Sequence, residues 1–247
     1  MIKLMTYNIM SGKNYQELKA GKSWTDVTLI NPSLVSAVIK KHGADIVGLN
    51  EVHGEGFVFN NQTEQIAEEA GYSYSYFAPA IMDNESPYGN AVLSKYPIIE
   101  AGNVLIPAGS YEEDKRCEGR SIAKTVIDVN GHKVMVLVTH FGLALSEKQK
   151  ITETVKKIVA ESVYPCILMG DLNMKPYEPL IQELRCILKD TAPSDIDEKW
   201  YTHSSDKPEM KIDYIFVDKN IKVEKAEALD ETPSDHRPYM AKVLLSK

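Results

Sequence analysis

The stretch SIAKTVIDVNGHKVMVLVTH, residues 121–140, decides the fold. Two apolar-rich runs, 121–129 and 132–140, flank Asn130-Gly131, the dipeptide best suited to a tight hairpin turn. Their polarity alternates, so the two runs pair antiparallel. Outward from this hairpin, strands and helices interleave. Downstream lies a helix over about 146–162, with Ile151, Val155, Ile158 and Val159 on one face and lysines and glutamates opposite. A strand at 166–170, a helix from about 179 to 185, and strands at 212–217, 221–227 and 239–245 follow. Upstream, strands at 2–9 and 45–50 enclose a helix. Asn31-Pro32 opens it, Leu34, Val35, Val38 and Ile39 recur at helical spacing, and Gly43 stops it. A second helix at 63–70 ends at Gly71, and strands are expected at 72–77, 89–94 and 98–106.

The hairpin demands antiparallel pairing, and the interleaved helices demand covered outer faces. Two mostly antiparallel sheets stacked face to face, with helices outside each, satisfy both demands. No Pro-, Gly- or Ser-rich linker divides the chain, so one domain is expected over 1–247.

Of the 247 residues, 43% are hydrophobic, too many for a disordered chain. Apolar runs are too short for a membrane-spanning helix. The first residues lack the apolar stretch and cleavage site of a secretory signal. Cys117, Cys166 and Cys186 are odd in number and widely spaced, against a disulfide framework or a thiolate zinc site. A soluble, reduced, cytoplasmic protein is the expectation, monomeric by default.

Function shows at the strand ends. Polar and titratable residues terminate apolar runs at Tyr7-Asn8, Asn50-Glu51, Thr139-His140, Asp171-Leu172-Asn173, Asp213 and Ser234-Asp235-His236. Gathered at one rim, they make an oxygen-rich site for a hard divalent cation, with imidazoles able to handle protons. Each also has a plainer reading. Asn8 and Asp171-x-Asn173 are turn formers, Glu51 a solvated acid, and His140 a satisfied half-buried histidine. Asp213 is a partner for Lys211, and Asp235-His236 a turn dipeptide.

Six such coincidences resemble a known pattern. Thr6-Tyr7-Asn8, Asn50-Glu51-Val52, Gly89-Asn90 through Ile98, Thr139-His140-Phe141, Gly170-Asp171-Leu172-Asn173, Ile212-Asp213-Tyr214-Ile215-Phe216 and Ser234-Asp235-His236-Arg237-Pro238 occur in order. Together they resemble the endonuclease/exonuclease/phosphatase superfamily over residues 4 to about 245. The resemblance implies a four-layer αββα sandwich and Mg²⁺-dependent phosphoester cleavage, with Mn²⁺ as a substitute. It implies Glu51 as principal metal ligand, with Asn8 and Asp235 in or just outside the metal shell. Asp171 would orient or deprotonate the attacking water, and Asn173 would donate to the phosphoryl oxygens. His236 would sit beside the scissile phosphate, with Asp213 fixing its tautomer and favouring its protonated form. His140 resembles a second histidine that is paired with an acid in the deoxyribonuclease branch. Here Tyr88-Gly89-Asn90 puts an asparagine at the matching place, which leaves the leaving-group acid open. His140 then contacts phosphate directly, alongside Tyr88, Asn90 and Arg120.

The substrate is less determined than the reaction. A net charge of −7 counts against a nucleic-acid polymer without excluding it. Lys13, Lys19 and Lys22 cluster after the first strand; Lys148, Lys150, Lys156 and Lys157 read as a solvated helix face. Phe57 and Phe59 read as packing beneath their loop or as contacts to a base or lipid chain. No amphipathic insertion suggests stable membrane docking. Loops 11–30 and 107–119 are expected to shape the pocket around a small or medium phosphoester. A nuclease and a non-catalytic phosphate-binding module are the alternatives.

Overall fold

The computed structural model describes residues 1–109, 114 and 116–245. Their elements run β1 (Ile2–Asn8), α1 (Tyr15–Lys19), α2 (Pro32–His42), β2 (Ile46–His53), α3 (Gln62–Ala70), β3 (Tyr74–Asp83), β4 (Ser86–Ser94), β5 (Ile98–Ile106), β6 (Arg120–Val129), β7 (His132–Thr139), α4 (Leu145–Glu161), β8 (Cys166–Asp171), α5 (Pro179–Ile187), β9 (Lys189–Asp190), β10 (Asp213–Val217), β11 (Lys222–Ala228) and β12 (Tyr239–Leu244). They form two six-stranded sheets, β11-β12-β1-β2-β4-β3 and β5-β6-β7-β8-β10-β9. Each sheet holds one parallel pair, β1 with β2 and β7 with β8, and is otherwise antiparallel.

The decisive hairpin forms as read, with Asn130 and Gly131 at φ +54° and +90°. Strand β7 shows why its sequence is nearly continuously apolar. Val134, Val136 and Val138 face the space between the sheets with Ile2, Leu4 and Ile46. Met135 and Leu137 face the other way, against Ile151 and Val155 of α4 and Ile181 and Leu184 of α5. On the far side, Met5, Tyr7, Val47 and Leu49 pack under Val35, Val38 and Ile39 of α2 and Ile66 and Ala67 of α3. Four layers result, helix on sheet on sheet on helix. Each large apolar side chain so buried contributes roughly 1.5–3 kcal/mol. Gly48 marks a close approach of the two sheets, since a Cβ there would lie 2.8 Å from Val138 Cγ2.

Strands β3 and β4, the helix α1 and the two-residue β9 differ from the sequence expectation. Strands β3 and β4 run on past 77 and begin before 89, joined by a turn at Asn84 and Glu85 with φ +47° and +58°. Pro79 and Pro87 argue against strand there. Pro79 is tolerated because β3 is a sheet edge and its pairing bulges between Pro79 and Ile81. The single turn α1 is too short to show periodicity and is held by Asn14, whose side chain accepts from the Gln16 and Glu17 amides. Of loop 107–119, Ser110, Tyr111, Glu112, Glu113 and Lys115 lie outside the described residues. No helix among the described residues is long and apolar enough to cross a membrane.

Candidate active site

The strand directions bring the site together. Parallel β1 and β2 place Asn8 beside Asn50, so Glu51 emerges at the same edge. Parallel β7 and β8 deliver His140 and Asp171 to the matching edge of the other sheet, and antiparallel β10 begins there, with Asp213 opposite Asp171. The loop before β12 closes the ring, tied down by Ser234 Oγ donating to the Asn8 carbonyl at 2.7 Å. Asn50 stitches the sheets, because its Oδ1 accepts the Asp171 amide at 2.8 Å. Glu51 is the extra residue of a β-bulge, at φ +59°. Such a bulge re-aims a side chain at the cost of local backbone strain.

Asn8 is the hub on one side. Its Nδ2 donates to Glu51 Oε1 at 2.9 Å and to Asp171 Oδ2 at 3.2 Å, while its Oδ1 accepts the Met10 amide. Asp171 is 1% exposed. Burial drives its pKa up to about 7, against the charge of His236. His236 Nδ1 meets Asp213 Oδ2 at 2.9 Å, and its Nε2 lies 3.6 Å from Asp171 Oδ2. Burial opposes charge on this ring, yet the Asp213 and Asp171 carboxylates outweigh it and raise His236 well above the usual histidine range. Burial likewise works against the Asp213 carboxylate, but His236 wins and lowers its pKa. The pair is an imidazolium–carboxylate.

His140 sits on the other side of Asp171, with Nε2 3.4 Å from the same Oδ2. Asn173, in left-handed backbone at φ +49°, donates through Nδ2 to His140 Nε2 at 3.0 Å and to the Phe141 carbonyl at 2.9 Å. Burial and then the charges of Arg120 and His236 push His140 well below the usual range, so the ring is neutral and accepts. Arg120 is 7% exposed; it pairs with Glu118, and its Nε is buried with no hydrogen-bond partner. Asn90 lies in the inter-sheet network, where its Oδ1 accepts from Asn50 and its Nδ2 donates to the Ser121 carbonyl and hydroxyl. Tyr88 lies against His53 at a ring distance of 4.9 Å, and burial raises its phenol well above the usual range.

Three residues near the site carry no signal in the sequence. His203 stands with its ring centroid 4.8 Å from that of His236 and its Nε2 3.9 Å from Asp235 Oδ2. Lys148 does not belong to the solvated helix face; its Nζ donates to the Asn173 carbonyl at 2.7 Å. Lys211 is not a surface partner of the Asp213 carboxylate. It is 1% exposed, and its ammonium donates to the Asp213 backbone carbonyl at 2.5 Å between the rings of Tyr214 and Tyr239. A lone lysine in a polar stretch gives no sign of such burial.

Among the described residues, two sets of His and acidic donors each lie within 4.8 Å, His203–Asp235–His236 and Asp171–Asp213–His236. His236 belongs to both, and protonated against Asp213 it has no lone pair to give a metal. The oxygens of Glu51 and Asp235 are the better match to a hard cation, with Asn8 just outside, orienting Glu51 through its amide. Burial, then the charge of Asp235, pushes the Glu51 carboxyl up. A bound cation relieves both penalties, so this donor set fits a divalent metal.

Solved structures share this architecture. An endonuclease/exonuclease/phosphatase from Beutenbergia cavernae DSM 12333 is 23% identical, with a TM-score of 0.78, covering 99% of this chain and 71% of that one. The mannosyl-6-phosphatase of Bacteroides thetaiotaomicron VPI-5482 is 17% identical, with a TM-score of 0.73 over 99% of this chain and 100% of that one. Sphingomyelinase C from Streptomyces griseocarneus is 17% identical, with a TM-score of 0.66 over 97% and 98%. No curated protein matches the sequence. The family model of the endonuclease/exonuclease/phosphatase family matches residues 5–236, a span that takes in every strand end described above, and the chain belongs to that family.

Proposed function

We propose that the protein is a metal-dependent hydrolase that cleaves a small or medium phosphoester or phosphodiester by in-line attack of water. The observation that supports this best is Asp171, a buried carboxylate with one oxygen facing Asn8, His236 and His140 at 3.2–3.6 Å. Glu51 and Asp235, with Asn8 just outside, would hold Mg²⁺ or Mn²⁺, which supplies charge neutralisation at the phosphate. Asp171 orients the attacking water and takes its proton as the new P–O bond forms and the ester P–O bond breaks, the leaving oxygen taking a proton from solvent water. His236, held charged by Asp213, stabilises the negative charge that builds on the phosphoryl oxygens. Arg120 adds a donor through its unpartnered Nε. Asn173 spends both amide hydrogens on His140 and the Phe141 carbonyl, and so positions His140 rather than binding phosphate. His140 contacts the phosphate as a neutral ring. Phosphoryl transfer asks for positioning and charge stabilisation more than covalent chemistry, and these residues supply both.

The test is a panel of p-nitrophenyl phosphate, bis(p-nitrophenyl) phosphate, hexose 6-phosphates, single- and double-stranded nucleic acids, phosphoinositides and sphingomyelin. Hydrolysis of at least one small ester is expected with Mg²⁺ or Mn²⁺ and near-complete loss after chelation. Turnover that survives EDTA rejects the metal assignment, and exclusive cleavage of polymers makes the protein a nuclease.

A further inference from the structure

Lys13 is an unusual lysine. It is 9% exposed, yet among the described residues it forms no ion pair within 4.0 Å. Its Nζ donates once, to the Trp24 carbonyl at 2.9 Å, and stands 4.1 Å from the centroid of the Trp24 ring. An ammonium has three donors, so two remain unspent in a place with little water. Buried charges are ordinarily paired. One with a single hydrogen bond and a ring face, and donors to spare, points to an acceptor supplied from outside.

The space around it is shaped. Lys13, Trp24, Asp26, Val58, Phe59 and Asn84 help to line a hollow of about 240 Å³. Its walls are fixed at the neck of the loop, where Lys13 bridges Ile30, the Asn14 amide donates to the Leu29 carbonyl and Leu29 is fully buried. Asp26 caps the short 3₁₀ turn Val27–Leu29 through its Oδ1, accepting from the Thr28 amide and hydroxyl. The hollow adjoins the phosphate centre through one ring. Phe59 stacks on His53 at 3.6 Å and 3°, and His53 lies two residues beyond Glu51 on β2. The Lys13 ammonium is near enough to feel the Asp83 carboxylate and, more weakly, that of Glu51.

We propose that this hollow is a subsite for the polyhydroxylated ring of a sugar phosphate, seated there while its phosphate lies at the centre around Asp171; this rests on the phosphoester-hydrolase reading above. Ring hydroxyls accept from Lys13 and donate to Asp26, and the aliphatic face of the ring lies along Trp24, which is 48% exposed. The volume of about 240 Å³ suits one sugar ring. Phe57 and Phe59 separate accordingly, since Phe59 is a wall at 3% exposure and Phe57 is 87% exposed.

The test compares wild type with Lys13→Met and Trp24→Ala, using glucose 6-phosphate, AMP and p-nitrophenyl phosphate with Mg²⁺. Both variants should raise KM for glucose 6-phosphate about tenfold and leave kcat within about twofold, with p-nitrophenyl phosphate kinetics unchanged. In parallel, tryptophan fluorescence of wild type and Lys13→Met is titrated with glucose 6-phosphate in EDTA, and thermal melting confirms that both are folded. Saturable quenching by wild type, weakened about tenfold by Lys13→Met, supports the subsite even where no ester is turned over. In that case the hydrolase reading alone fails. Turnover of glucose 6-phosphate that neither variant alters overturns the subsite and leaves the reaction standing. So does equal loss on all three esters, and so does a preference for AMP that depends on Trp24.

Discussion

His236 and His140 face the same oxygen of Asp171, at 3.6 and 3.4 Å, and carry different charge. What differs is the group behind each ring. Asp213 stands behind His236 and keeps it protonated, whereas the Asn173 amide donates to His140 and requires a lone pair there. Arg120 adds a positive charge near His140, which further disfavours protonation. Two like side chains at one rim are thus sorted into a cation and a neutral ring by their neighbours. The carboxylate they share adds to the charge on His236, but the sorting follows the group behind each ring.

The sharpest way to break this contrast is to remove the charged half. His236→Ala and Asp171→Ala are each expected to lower kcat by at least about two orders of magnitude, the usual scale for losing an electrostatic or acid–base group. Wild-type turnover in both variants, measured on whichever small ester the panel identifies, rejects the site. Asp213→Asn tests the sorting itself. Without that carboxylate His236 loses its proton at lower pH, so the alkaline limb of the pH–rate profile should move toward acid, with kcat down roughly tenfold or more. An unmoved alkaline limb means that the charge of His236 does not matter to the rate.

The neutral half predicts a smaller effect. His140→Gln keeps an acceptor for Asn173 and a donor for phosphate, so kcat should stay within about tenfold of wild type, with the pH–rate profile unchanged. If the glutamine variant falls as far as His236→Ala, His140 works as a proton donor. The matching change, Asn90→Glu, is a poor test of the same point, because it would set a carboxylate against the Ser121 carbonyl that Asn90 now donates to.

The same contrast separates what could be read from the sequence from what could not. Asn130-Gly131, the alternation of β7 and the apolar faces of α2 and α4 are local patterns, and each follows from backbone geometry. The ends that carry Glu51, Asp171, Asp213 and His236 were legible because strands end where apolar runs end. Which of them touch depends on strand direction, and no run of residues states that two strands lie parallel. The left-handed backbone at Glu51 was hidden for a related reason, since a bulge imposes it. At Asn173 it accompanies the turn that Asp171 Oδ1 closes by accepting the Asn173 amide, which is the turn-forming reading of Asp171-x-Asn173. His203, Lys148 and Lys211 were missed because one polar residue among others looks solvated until the chain folds over it.

Lys211 gives the gentlest test, and it bears on the support behind the charged histidine. Its ammonium holds the carbonyl of Asp213, and burial lowers its pKa from 10.5 to about 8. A base lowered on folding binds its proton more weakly in the native state than in the unfolded one. Between about pH 8 and pH 10.5 the unfolded chain therefore holds more protons, and this residue makes stability rise with pH. Below pH 8 both states are charged and the cost of burying the ammonium is present in full. The contribution is at most ~3 kcal/mol, and it is reduced by the two tyrosine faces that favour the cation. Urea unfolding at pH 7.5, 8.5 and 9.5 should show wild type gaining stability relative to Lys211→Met, with the window kept below the range in which tyrosines ionise. Parallel curves would mean that the Tyr214 and Tyr239 rings offset the burial entirely and that Lys211 stays charged throughout, leaving it a fixed strut behind Asp213.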